Sequence, residues 1–221
     1  MKKLIAAAAV AGAMAFAPAN ATIVSFADYA DTNGERGVAS GTTLAIEGLV
    51  MTFLSNFNPY FDASGRDGPA GLRVCKVLDA RDQCDPGSDD SIDNDGAVQE
   101  AVVIQFADDQ TVNLDGISFS DFAHDPVNPA ALVEYFVVYD GGLSDTLFVT
   151  DTFANVVAAF AAGFDDVVKF GFRRPVGADG LDFYVEALDA EFDPIPVPAA
   201  LPLLLSGLAG LGFASRRRKN A

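Results

Sequence analysis

Five aspartates, Asp85, Asp89, Asp90, Asp93 and Asp95, fall within eleven residues, with Gly96 after them and Glu100 close by. Oxygen ligands at alternating positions on a turning loop are what a calcium ion requires. The twelve-residue helix–loop–helix calcium pattern is matched only in part. Ser91, Asp93, Asp95 and Gly96 fit its first half, but Val102 stands where the closing glutamate belongs. A structural calcium ion on Asp85, Asp89, Asp90, Asp93, Asp95 and Glu100 and an ordinary solvated acidic loop are therefore equal expectations. Cys75 and Cys84 are the only cysteines. A pair so spaced reads as one disulfide closing a small loop, worth about 2–3 kcal/mol. A zinc site would need more ligands at other spacings.

Catalytic chemistry finds little support. His124 is the only histidine, in Phe122-Ala-His-Asp-Pro126, and no Gly-x-Ser-x-Gly elbow accompanies it. The nearest approach, Gly116-Ile-Ser-Phe-Ser120, lacks the second glycine. A structural hydrogen bond is the expected role of that imidazole. The 31 acidic residues supply many carboxylate pairs for a hydrolase, and none is singled out. The chain is expected to be non-enzymatic. Sugar binding is the stronger rival, although the sequence has no tryptophan. Tyr29, Tyr60, Tyr135, Tyr139 and Tyr184 are the available substitutes, and Tyr60, in Asn58-Pro-Tyr-Phe61, is the one expected in a loop.

The elements that would hold these groups read as β throughout. Thr22–Phe26, Thr43–Phe53, Leu72–Leu78, Ala101–Phe106, Thr111–Phe119, Leu132–Tyr139, Leu147–Val149, Val167–Phe172 and Phe183–Phe192 are rich in β-branched and aromatic residues between turn signals. Asn56–Ala70 and Asp79–Gly96 read as loops. Phe153–Phe164 carries a helical period, with Asp151-Thr152 as a possible cap and Gly163 near its end. About nine strands and 18 phenylalanines predict an all-β fold, an antiparallel two-sheet sandwich of jelly-roll type, with first and last strands paired. No internal repeat is visible.

The ends differ from this body. Lys2 and Lys3, the apolar run Leu4–Phe16 and Ala19-Asn-Ala21 have the layout of an export signal, so residues 1–21 are expected to be removed. The body then spans 22–193. Six of the 14 basic residues lie in the terminal segments, leaving eight against all 31 acids, a net charge of −23. Such a field repels nucleic acid and favours cations and solubility. At the other end, residues 194–221, Pro194, Pro196 and Pro198 precede the uncharged run Ala199–Ala214, which predicts a C-terminal transmembrane helix. As a helix that run would be about 24 Å long, short of the roughly 30 Å hydrocarbon core. Arg216, Arg217, Arg218 and Lys219 follow as a stop-transfer cluster.

This tail resembles the PEP-CTERM class of protein-sorting signals, in its Val-Pro-Leu-Pro-Ala variant. The matching residues are Ile195, Pro196, Val197, Pro198 and Ala199, then Leu201-Pro-Leu-Leu-Leu-Ser-Gly-Leu208, then the basic end. Ile195 and Val197 depart conservatively from the variant's Val and Leu. Stretches of the body, including Gly71–Cys75, Cys84–Asp90 and Glu100–Phe106, also look like ectodomains of tail-sorted proteins. The resemblance implies export in a Gram-negative bacterium and processing by a membrane transpeptidase, exosortase. It further implies delivery to the cell envelope, surface or extracellular matrix, in the company of exopolysaccharide. It implies nothing about the body's activity.

Overall fold

The computed structural model describes residues 20–64, 68–85, 92, 99–108, 110, 112–141, 147–176 and 181–192. The expected export signal, up to residue 19, and the whole tail lie outside them. No helix among the described residues is long and apolar enough to cross a membrane.

In chain order the elements are β1 (Asn20–Ser25), α1 (Phe26–Asn33), β2 (Arg36–Gly37), β3 (Thr42–Ile46), β4 (Leu49–Ser55), β5 (Asn58–Asp62) and β6 (Gly71–Cys75). They continue with β7 (Ala101–Phe106), β8 (Val112–Asp121), β9 (Leu132–Tyr139), β10 (Val149–Thr152), α2 (Phe153–Ala161), β11 (Phe164–Arg173) and β12 (Phe183–Phe192). Ala101–Phe106, Leu132–Tyr139 and Phe183–Phe192 coincide with the strands read from the sequence. In β7 the reason is plain: Val102, Ile104 and Phe106 are buried and their neighbours are not, the alternation of a half-buried strand.

The twelve strands form one curled antiparallel sheet in the order β2-β5-β6-β12-β8-β11-β7-β4-β3. β1 adds to β12 from Asn20↔Phe192 to Ser25↔Ala187, beside the Val185↔Leu72 contact of β6. β9 adds to β11 and carries β10 on its far side. The curl brings two limbs face to face, joined where the start of β8 meets the start of β11 at Val112↔Val167. This is an all-β, β-sandwich-like fold, and its first and last strands pair as expected.

Phenylalanine fills the space between the limbs. Phe119 meets Phe153, Phe172 and Phe183 edge-on, and Phe53 does the same to Phe26 and Phe61. Both helices plug this core, α1 through Phe26, Ala27 and Ala30, and α2 through Phe153, Val156 and Phe160. The Thr152 hydroxyl caps α2 by accepting from Asn155 N–H at 3.3 Å, as the sequence allowed.

Several readings change: the strand expected at Leu147–Val149 lies at Val149–Thr152, and the one expected at Leu72–Leu78 ends at Cys75. Thr43–Phe53 is not one strand but a hairpin: Glu47 (φ 52°) and Gly48 (φ 86°) turn β3 into β4 with both central residues left-handed. Asn56–Ala70 is not wholly loop, because Asn58–Asp62 forms β5 despite Pro59. Proline is tolerated because its carbonyl accepts from Val38 N–H at 2.8 Å just past the two-residue strand β2, so its missing N–H falls on that short side and not in the β5–β6 ladder. The residues after Ser25 turn into α1 instead of extending β1.

Candidate functional site

Two polar assemblies lie on the outward side of the β5–β6–β12 limb. The first is the stapled loop. Cys75 ends β6, and its Sγ lies 2.05 Å from that of Cys84 with Cα atoms 5.9 Å apart, so the expected disulfide is formed. Inside the loop Asp79 Oδ1 accepts N–H bonds from Arg81 at 2.7 Å and Gln83 at 2.9 Å. Those two donors hold its carboxyl below the usual carboxylate range. Gln83 in turn reaches the Glu35 carbonyl and accepts from the Tyr60 hydroxyl at 3.3 Å. The loop is therefore tied to the β2–β5 edge.

The second assembly is a buried charge layer. Arg73, on β6, has its guanidinium 4.6 Å from the Tyr60 ring centre and 5.5 Å from that of Tyr184. Its Nη1 lies 3.2 Å from Asp62 Oδ2, and both side chains are less than a tenth exposed. His124 Nε2 approaches the same oxygen at 3.5 Å, and its ring stands edge-on to Tyr184. The imidazole is delivered by a tight turn in which Asp121 Oδ1 accepts from Ala123 and Asp125 N–H. That turn leaves His124 at φ 64°. Arg73, Asp62, Tyr60 and Tyr184 alternate along their strands with the core residues Leu72, Phe61 and Val185, which is why they face outward. The turn and the stapled loop then cover them.

Among the described residues His124 pairs with no serine, threonine or cysteine hydrogen. Its side chain instead approaches Asp62, where the sequence suggested a structural hydrogen bond. The Tyr60 ring, read as a sugar contact, is 2% exposed and lies under a guanidinium, so that face is already occupied. Burial, with the Glu35 charge adding to it, raises the Tyr60 phenol.

Of the six residues read as cation ligands, two are described. Glu100 is wholly buried with Lys76 Nζ 3.3 Å from its Oε1. Asp85 follows the staple, its N–H donating to the Val77 carbonyl at 2.9 Å. Asp89, Asp90, Asp93 and Asp95 lie outside the described residues. Ile92, between them, is buried and bridges Phe183, which pins the middle of this segment to the start of β12. No group of three or more histidine, cysteine or acidic side chains among the described residues is placed to hold a metal.

Sequence reasoning missed the Arg73–Asp62–His124 layer, since Arg73 and His124 are 51 positions apart and only strand pairing unites them. Alternation was the available signal: Arg73 stands between Leu72 and Val74 in an otherwise apolar strand. Compared with known proteins, the chain matches no family model, no curated protein and no solved structure.

Proposed function

We propose that this chain is an exported protein of the cell envelope or extracellular matrix, whose β-domain serves surface or matrix interaction without catalysis. The observation that carries this reading is the Cys75–Cys84 disulfide, a bond that persists in oxidising compartments. The layout of the two terminal segments supports it. The body takes the two-sheet, jelly-roll form, Ala199–Ala214 is a transmembrane helix, and an exosortase-type enzyme recognises Ile195–Ala199. Thr22, the first residue after the expected cleavage, pairs with Ala190, so the processed N-terminus starts beside the last stretch of chain before the tail.

The test is cell fractionation. Full-length protein should sediment with membranes or appear processed at the surface, and deletion of Leu201–Lys219 should release it in soluble form. Full-length protein free in the medium with its Arg-Arg-Arg-Lys end intact would defeat the sorting reading.

A further inference from the structure

We propose that the outward face of β9, β11 and β7 carries a binding site for a neutral glycan, centred on Lys169, Gln105 and Asp108. Strand register builds it. Lys169 on β11 lies opposite Gln105 on β7 and Val138 on β9. Gln105 lies opposite Thr52 on β4, and Thr52 opposite Thr43 on β3. These five positions form one row across five strands, about 19 Å at the usual strand spacing. At one end of the row is an open pocket of about 240 Å³, lined by Lys169, Gln105, Asp108 and Val138. That is small for a drug-sized ligand and suits one sugar ring.

Its polar groups are uncommitted. Arg73, Lys76, Arg173 and Arg174 are each ion-paired, to Asp62, Glu100, Glu134 and Asp182. Among the described residues Lys169, Gln105 and Asp108 have no side-chain hydrogen bond or ion pair. An ammonium, an amide and a carboxylate at one pocket are the donors and acceptors that vicinal hydroxyls satisfy. The charges of Lys169 and Asp108 cancel, and a body of net −23 repels polyanions, so the ligand is neutral. Beside the polar row runs an apolar one, Phe136, Gly171, Val103 and Leu54, in the same cross-strand register. A Cβ on Gly171 would stand 2.7 Å from the Phe136 ring, so the bare glycine lets that ring lie across the strand. Phe136 is buried and meets the Phe148 ring, so half-buried Val103 and Leu54 are the apolar surface for the C–H face of a pyranose.

The proposal deepens the matrix-interaction reading and rests on it only for the source of the glycan. Its test is calorimetric titration of the full-length chain in detergent with glucan, mannan, galactan and alginate hexasaccharides. At least one neutral hexasaccharide should bind. Lys169→Met and Gln105→Ala should each weaken it tenfold or more at unchanged melting temperature, whereas Arg81→Ala, at an exposed cation on the stapled loop, should not. Binding to none of the neutral sugars, binding that survives both substitutions, or tighter binding of alginate would overturn the site. An exported protein that binds no sugar defeats this site alone; a sugar-binding protein retained inside the cell defeats the export reading alone.

Discussion

Arg73 sits between two tyrosine rings with Asp62 as its counter-charge, all nearly removed from water. Replacing it with alanine removes the Asp62 ion pair and both ring contacts. Removing one partner of a buried ion pair costs about 3–5 kcal/mol. Arg73→Ala should lower the urea-unfolding free energy by that amount, and a loss below about 1 kcal/mol would mean the charge layer is not stabilising. Glu186, at the register shift of β12 between Val185 and Ala187, behaves oppositely. Burial pushes its carboxyl above the usual range and Asp28 adds repulsion, while a hydrogen bond from Ser118 opposes both. A raised folded-state pKa means the fold favours the protonated acid. The resulting stabilisation is complete below the unfolded-state pKa and is lost as pH rises through the folded one. Glu186→Gln should therefore match the parent in acid and exceed it at neutral pH. Urea midpoints measured from about pH 4 to 8 give the comparison, and parallel profiles would refute the assignment.

Each helix is set by one side-chain cap. Ser25 Oγ accepts from Asp28 N–H at 3.0 Å to open α1, and Thr152 does the same for α2. The helix at 153–161 was legible in part: of the period Val156, Val157, Phe160 and Phe164, Val156 and Phe160 are buried in α2, Val157 is exposed, and Phe164 opens β11. α1 carried an equally local signal, Ser25-x-x-Asp28, hidden by the β-branched run before it. Thr152→Ala should cost about 1 kcal/mol by thermal or urea unfolding. No measurable loss would show that packing of Phe153 and Phe160 alone holds the helix.

At the scale of the whole molecule, Ile92, within the Asp-rich segment, bridges Phe183 at the start of β12, whereas β1 pairs with β12 as far as Phe192 at its end. If the aspartates bind calcium, the full-length chain should melt higher in Ca²⁺ than in Mg²⁺ at equal ionic strength. Saturation a hundredfold above the dissociation constant gives about 2.7 kcal/mol. The double substitution Asp93→Asn with Asp95→Asn should remove the difference. Equal shifts for the two ions would leave the segment as solvated surface.

By itself the sequence determined what local periodicity and local chemistry determine. β-Branched and aromatic runs between turn signals marked β7, β9 and β12, the helical period within 153–164 marked α2, and two cysteines nine positions apart allowed one disulfide. Tertiary structure decided everything that depends on which strands become neighbours. Pro59 sits in a strand because its missing N–H falls on the side of the short β2 and leaves the β5–β6 ladder whole. Tyr60 became interior only because β6 brought a guanidinium over its ring. Asp62, Arg73 and His124 met, and Lys169 came opposite Gln105, through register between strands far apart in the chain. The hydrogen-bond ladder that sets register is the same for every sequence, and side chains choose among registers only through the core they jointly fill.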